Sequence, residues 1–230
     1  MMEFIKESAF FGVAITLVTY ELGNLLKKKF KIALFNPLLI SVVLIIGLLL
    51  LLDIDYSIYA DGAKYISYLL TPATVALAVP LYEQIEPLKK NWLAILLGIL
   101  SGALTSAVCV LVCAVIFKLN HAQYVTLLPK SITTAIGMGI SEELGGIATI
   151  TVAVIVVTGI IGNMFAELIC RLFRITDPIA KGIGIGSASH AMGTAKAMEM
   201  GEIEGAMSSL SIAVSGLITV IIASLFAGLY

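Results

Sequence analysis

Four stretches of at least 20 residues, 33–52, 91–117, 147–166 and 205–230, carry no charged side chain. The hydrocarbon core of a bilayer is about 30 Å thick, and an α-helix needs roughly 20 apolar residues to cross it. Lipid is therefore the expected solvent for much of this chain. The composition agrees: 60% of residues are hydrophobic, only 13% are charged, and the mean hydropathy is +1.06. Soluble domains run nearer a quarter charged. The net charge of −1 and the single short basic block, Lys27, Lys28, Lys29 and Lys31, exclude the electrostatic footprint of a nucleic-acid binder.

Two further runs approach span length: 8–26, interrupted by Glu21, and 65–82, which contains Pro72 and Pro80. Six alternating spans place Lys27, Lys28, Lys29, Lys31, Lys89, Lys90, Arg171, Arg174 and Lys181 on one side. Lys6, Lys64, Lys118 and Lys130 fall on the other. The positive-inside rule makes the first side cytoplasmic and both termini extracytoplasmic, in a multi-pass protein of the inner or plasma membrane. The first run lacks the small-residue cleavage pattern of a signal peptide.

Residues 131–145 and 182–200 are too short, too rich in glycine and small polar residues, and too charged at one end to cross. They read as re-entrant half-helices, since irregular backbone at membrane depth is tolerated only against protein or a water-filled cavity. A shift of 56 residues superposes Ser131 on Ser187, Thr133 on Ser189, Ala135 on Ala191, Gly137 on Gly193, Glu143 on Glu199, Gly145 on Gly201 and Ile147 on Ile203. Each copy is a half-helix followed by one span, so the second copy is inverted relative to the first. Secondary transporters build midplane substrate sites from such repeats. The expected fold is all-α: a polytopic transmembrane bundle of about six spans plus two re-entrant half-helices in an inverted repeat. It forms a single domain over 1–230, with N-terminal spans in 1–125 and the repeat core in 126–230.

The candidate substrate-binding residues follow from this arrangement. Ser131, Thr133 and Thr134 open the first half-helix; Ser187, Ser189 and His190 open the second, with Thr194 one turn further on. Hydroxyls at such positions are ordinary helix caps. Two opposed helix N-termini, each bearing about half a positive charge, also make a site for an anion. His190 is the only histidine in a membrane segment and the candidate proton site, because a carried monoanion needs a cotransported cation to accumulate against a negative-inside potential. Lys196, the only basic residue besides His190 in these segments, has Glu199 at i+3 as an ion-pair partner. Glu143 marks the end of the first half-helix. Glu142, Glu202 and Glu204 are expected at segment ends near water, while Glu21, Asn163 and Glu167 are expected to make structural hydrogen bonds. Cys109, Cys113 and Cys170 read as small packing residues. No metal-ligand cluster, nucleotide loop or catalytic set is recognisable, so neither enzyme activity nor a cofactor is expected.

The segments LLTPATVALAVPLY at 69–82, PKSITTAIGMGISEELGGI at 129–147 and GIGIGSASHAMGTAKAMEMGEIEGAMSSL at 182–210 resemble the LrgB/CidB family, and the resemblance covers essentially the whole chain. Family members carry proline where this chain has Ala135 and Ala148. The break of the first half-helix must here rest on Gly137, Gly139, Gly145 and Gly146. The resemblance implies two roles. One is transport of short monocarboxylates such as glycolate, glycerate, pyruvate or lactate, with a small LrgA/CidA-type membrane partner. The other is antiholin-like regulation of murein hydrolase export and cell lysis. Assembly of the chain with itself is a further expectation.

Overall fold

The computed structural model describes residues 10–30, 35–76 and 78–230. Lys6 and Lys31, which enter the charge asymmetry, and the first residues of the runs 8–26 and 33–52 lie outside them. Among the described residues every regular element is an α-helix: α1 (Phe11–Phe30), α2 (Pro37–Leu51), α3 (Tyr56–Ser67), α4 (Leu70–Ala76), α5 (Ala78–Glu83), α6 (Ile85–Phe117), α7 (His121–Leu127), α8 (Thr134–Glu143), α9 (Ala148–Leu172), α10 (Pro178–Met200) and α11 (Glu202–Ala227). The chain divides into two compact units, one ending at Ala76 and the other spanning Leu77–Tyr230. Within the second unit α6 packs with α10 and α11.

Within the first unit α1 packs on α2 and α3. Hydroxyls join them: Thr19 Oγ1 lies 2.8 Å from Ser41 Oγ in a buried pair, and Thr16 Oγ1 lies 3.0 Å from the Tyr59 hydroxyl in a partly buried one. Such bonds hold helices together where lipid removes the hydrophobic drive for their association. Asn36 caps α2, its Oδ1 accepting from the backbone N–H groups of Leu38 and Leu39, with Pro37 in the first helical position. At 15 residues α2 extends about 22 Å, short of the hydrocarbon core. Residues 65–82 do not form one helix. Their described part is divided among the end of α3, α4 and α5, and Pro72 stands in the first turn of α4, where its missing N–H is no loss.

Among the described residues three helices are long and apolar enough to cross a membrane: Leu88–Phe117 within α6, together with α9 and α11. They correspond to three of the four charge-free runs and are the candidate spans of the second unit. A non-helical residue, Asn91, bends α6 just ahead of its apolar stretch. Ala103, Ala107, Val110 and Ala114 of α6 form a core with Tyr124 and Val125 of α7, Ile132, Ile140 of α8, and Ile222 and Ala223 of α11. A second cluster joins Ile95 and Ile99 of α6 to Ile183 of α10 and Met207 of α11. The element boundaries follow the 56-residue register. Added to the bounds of α8 it gives 190–199, the distal part of α10; added to those of α9 it gives 204–228, beside Glu202–Ala227 for α11.

Candidate functional site

The segment expected as a half-helix over 182–200 is instead the greater part of α10, a 23-residue element broken internally at Ser189 and His190. His190 has φ 44° and ψ −142°, a conformation that side chains with a Cβ rarely adopt. Backbone of this kind persists only where its surroundings over-determine it, and such residues concentrate at functional sites. Here the surroundings are polar. Ser189 Oγ donates to the Ile185 carbonyl at 2.8 Å, Thr194 Oγ1 donates to the His190 carbonyl at 3.0 Å and lies 2.7 Å from Ser208 Oγ of α11, and Asn163 Nδ2 of α9 donates to the Met192 carbonyl at 2.7 Å. His190 Nε2 is 3.0 Å from the Ile155 carbonyl on α9. Gly162 is required at its place on α9, because a Cβ there would overlap Ser189. The break thus lies between α9 and α11, with the named side chains of Ser189, His190, Thr194 and Asn163 each meeting a partner as low-dielectric surroundings demand.

On the other face of α10 lies a cavity of about 770 Å³ between α6, α10 and the turn preceding α8. The α6 wall is a stripe of small and hydroxylic residues at helical spacing, Gly98, Ser101, Gly102, Thr105, Ser106 and Cys109. Gly102 allows close approach to α10, since a Cβ there would stand 2.7 Å from Ser187 Oγ. Opposite are Ser187 on α10 and Lys130 and Ser131 in the turn. Lys130 Nζ donates to Ser131 Oγ at 2.9 Å and to Ser106 Oγ at 3.2 Å, and the two hydroxyls are 3.1 Å apart. Asp177 also lines the space, but it is exposed and its carboxylate caps α10 by accepting from the Ala180 N–H at 2.8 Å.

The structure therefore separates the residues that the sequence grouped. Ser131 and Ser187 share the cavity, and Ser187 lies before the break rather than at the start of the following helix. Its hydroxyl donates to the Ile183 carbonyl at 2.7 Å, and the oxygen keeps lone pairs able to accept. Thr133 is the N-cap of α8 without a side-chain capping bond, and Thr134 begins the helix; both are half-buried and outside the cavity lining. Ser189, His190 and Thr194 belong to the break on the far face. Lys196 meets Glu199 at 3.2 Å and Glu167 of α9 at 3.3 Å, in a separate charged recess near the ends of α9 and α10. Glu167 also pairs with Arg171 at 2.7 Å. Glu143 is exposed at the end of α8. Glu204, expected near water, is buried and pairs with Lys181 at 3.6 Å.

Sequence reasoning missed Lys130 and the α6 stripe. The charge asymmetry places Lys130 among the extracytoplasmic lysines, although it stands directly before Ser131, the first residue of the repeat. The stripe was legible as small and hydroxylic residues three and four apart inside the charge-free run 91–117. Among the described residues, no group of three or more potential ligating side chains is arranged to hold a metal ion.

A model described as the LrgB-like family matches residues 16–229. The chain is 40% identical to the antiholin-like protein LrgB of Bacillus mycoides (strain KBAB4) over 218 residues, 94% of this chain and 95% of that protein. The protein of the same name from Bacillus cereus (strain B4264) is similar to the same extent. No solved structure matches.

Proposed function

Because the chain belongs to the LrgB-like family, we propose that it is an antiholin-like membrane protein whose helical core carries a small monocarboxylate across the bilayer. Of the two roles anticipated from the sequence, the relatives' names favour the antiholin-like one. The carrier activity rests on one observation: a serine-lined cavity, containing a lysine, lies between a broken helix and α6, a helix long and apolar enough to span. Polar lining of this kind is costly in lipid and marks solute pathways. A broken helix backing the cavity is the arrangement by which secondary transporters form a site at the repeat interface, with inversion of the two copies as part of the proposal. Glycolate, glycerate, pyruvate and lactate are the proposed substrate class, and a small membrane protein of the LrgA/CidA type is the proposed partner.

The two roles separate in cells. A strain lacking the chain is complemented with the wild type or with Gly184→Trp, which places a large side chain in the cavity, and both autolysis rate and labelled glycolate or pyruvate flux are measured. Loss of both in the variant supports one protein acting through its cavity. Normal lysis control with abolished flux assigns the antiholin-like role to another surface, and unchanged flux contradicts the carrier.

A further inference from the structure

We propose that Lys130, with the hydroxyls of Ser131 and Ser106, forms the anion-binding centre of the α6–α10 cavity and takes a single carboxylate. The inference rests on the small-anion reading and identifies the group that confers its charge selectivity. A lysine ammonium has three donors, and two of them meet Ser131 Oγ and Ser106 Oγ. Among the described residues no carboxylate lies within 4.0 Å of Lys130 Nζ, although the side chain is half-buried. The contrast with the other partly buried lysines is sharp: Lys181 has Glu204 at 3.6 Å, and Lys196 has Glu199 and Glu167 at 3.2 and 3.3 Å. A cation removed from water without a counter-charge is unfavourable, and an entering anion supplies that counter-charge. Asp177 is the one acidic residue lining the space and is engaged in capping α10.

The chemistry limits the ligand. One ammonium balances one negative charge, and the flanking hydroxyls, which also accept, suit a carboxylate carrying a neighbouring hydroxyl or keto oxygen. Lysine is a point charge without the bidentate fork of arginine, so selection falls on charge and size rather than on carboxylate orientation.

Cys109 lines the same cavity and is an in-place reporter. Purified protein carrying Cys113→Ser and Cys170→Ser is alkylated at Cys109 with an anionic and a cationic methanethiosulfonate, with and without glycolate. The expected result is preference for the anionic reagent and protection by glycolate. Lys130→Gln lowers the anionic-to-cationic rate ratio about tenfold and abolishes protection, while Lys130→Arg retains both. Ser106→Asp keeps the lysine but places a carboxylate beside it, and is expected to abolish protection equally, which decides the matter should Lys130→Gln fail to fold. Protection that survives in Lys130→Gln or in Ser106→Asp overturns the inference. Binding is read here without transport, so protection by glycolate in a protein that moves none refutes the carrier and leaves the anion centre standing.

Discussion

Ser131 and Ser187 stand 56 positions apart in the chain and line the same cavity. Each opens its copy of the sequence repeat, yet their surroundings differ. Ser131 lies in a turn bonded to Lys130, and Ser187 lies within a helix bonded to the Ile183 carbonyl. The cavity is thus asymmetric, with its positive charge on the Ser131 side.

That asymmetry predicts charge selectivity. A dicarboxylate brings two charges to one ammonium, and desolvating the second costs several kcal/mol without compensation. Excess succinate or malate should inhibit glycolate or pyruvate uptake at least about tenfold less well than lactate does. Equal competition by mono- and dicarboxylates would remove Lys130 as the sole counter-charge.

Obstructing the cavity should stop transport without unfolding the protein. Gly184→Trp projects into about 770 Å³ of space, at a site where a Cβ meets nothing within 4 Å. Its thermal unfolding midpoint should stay close to that of the wild type, because the new side chain displaces no packed neighbour, while uptake falls at least about tenfold. Full activity would place the pathway elsewhere.

The strained residue makes an ordering prediction. At φ 44° a glycine relieves about 1–3 kcal/mol of backbone strain, which offsets the loss of the bond between His190 Nε2 and the Ile155 carbonyl. Alanine loses the bond and keeps the strain. Thermal unfolding in detergent should therefore rank His190→Gly above His190→Ala. The imidazole is also outside the cavity lining, so the pH dependence of uptake should survive in His190→Gly; its disappearance would restore the proton-site role that the sequence suggested.

Close packing at the break is equally exposed to test. A side chain at Gly162 collides with Ser189, and overpacking of this kind costs about 1–3 kcal/mol. Gly162→Val should lower the unfolding midpoint, whereas Gly139→Val, at a site with no neighbour within 4 Å, should not do so through collision. A Gly162→Val protein as stable as the wild type would mean that the break does not rest against α9.

The sequence disclosed what depends on length and periodicity. Uninterrupted apolar runs became α6, α9 and α11 because nothing in 91–117, 147–166 or 205–230 opposes a helix in lipid. The repeat register located the boundaries of α8 and α9 on those of distal α10 and α11. Rotation about a helix axis was not legible. Ser187 and Ser189 are two residues apart, hence on opposite faces of an ordinary helix, and pairing both with one ligand ignored that. The position of the break within 182–200 was also hidden, since glycine and serine permit it at several places and tertiary packing chooses one. Lys130 was concealed for a different reason: a lysine between two helices reads as solvated unless the turn carrying it folds inward.

Uptake of labelled glycolate and pyruvate by liposomes containing only the purified protein, with and without an imposed proton gradient, bears most directly on the carrier. The account predicts saturable uptake above protein-free liposomes, reduced at least about tenfold by Gly184→Trp and by Lys130→Gln. Uptake no greater than in protein-free liposomes under either gradient, from protein shown to be folded, would contradict it.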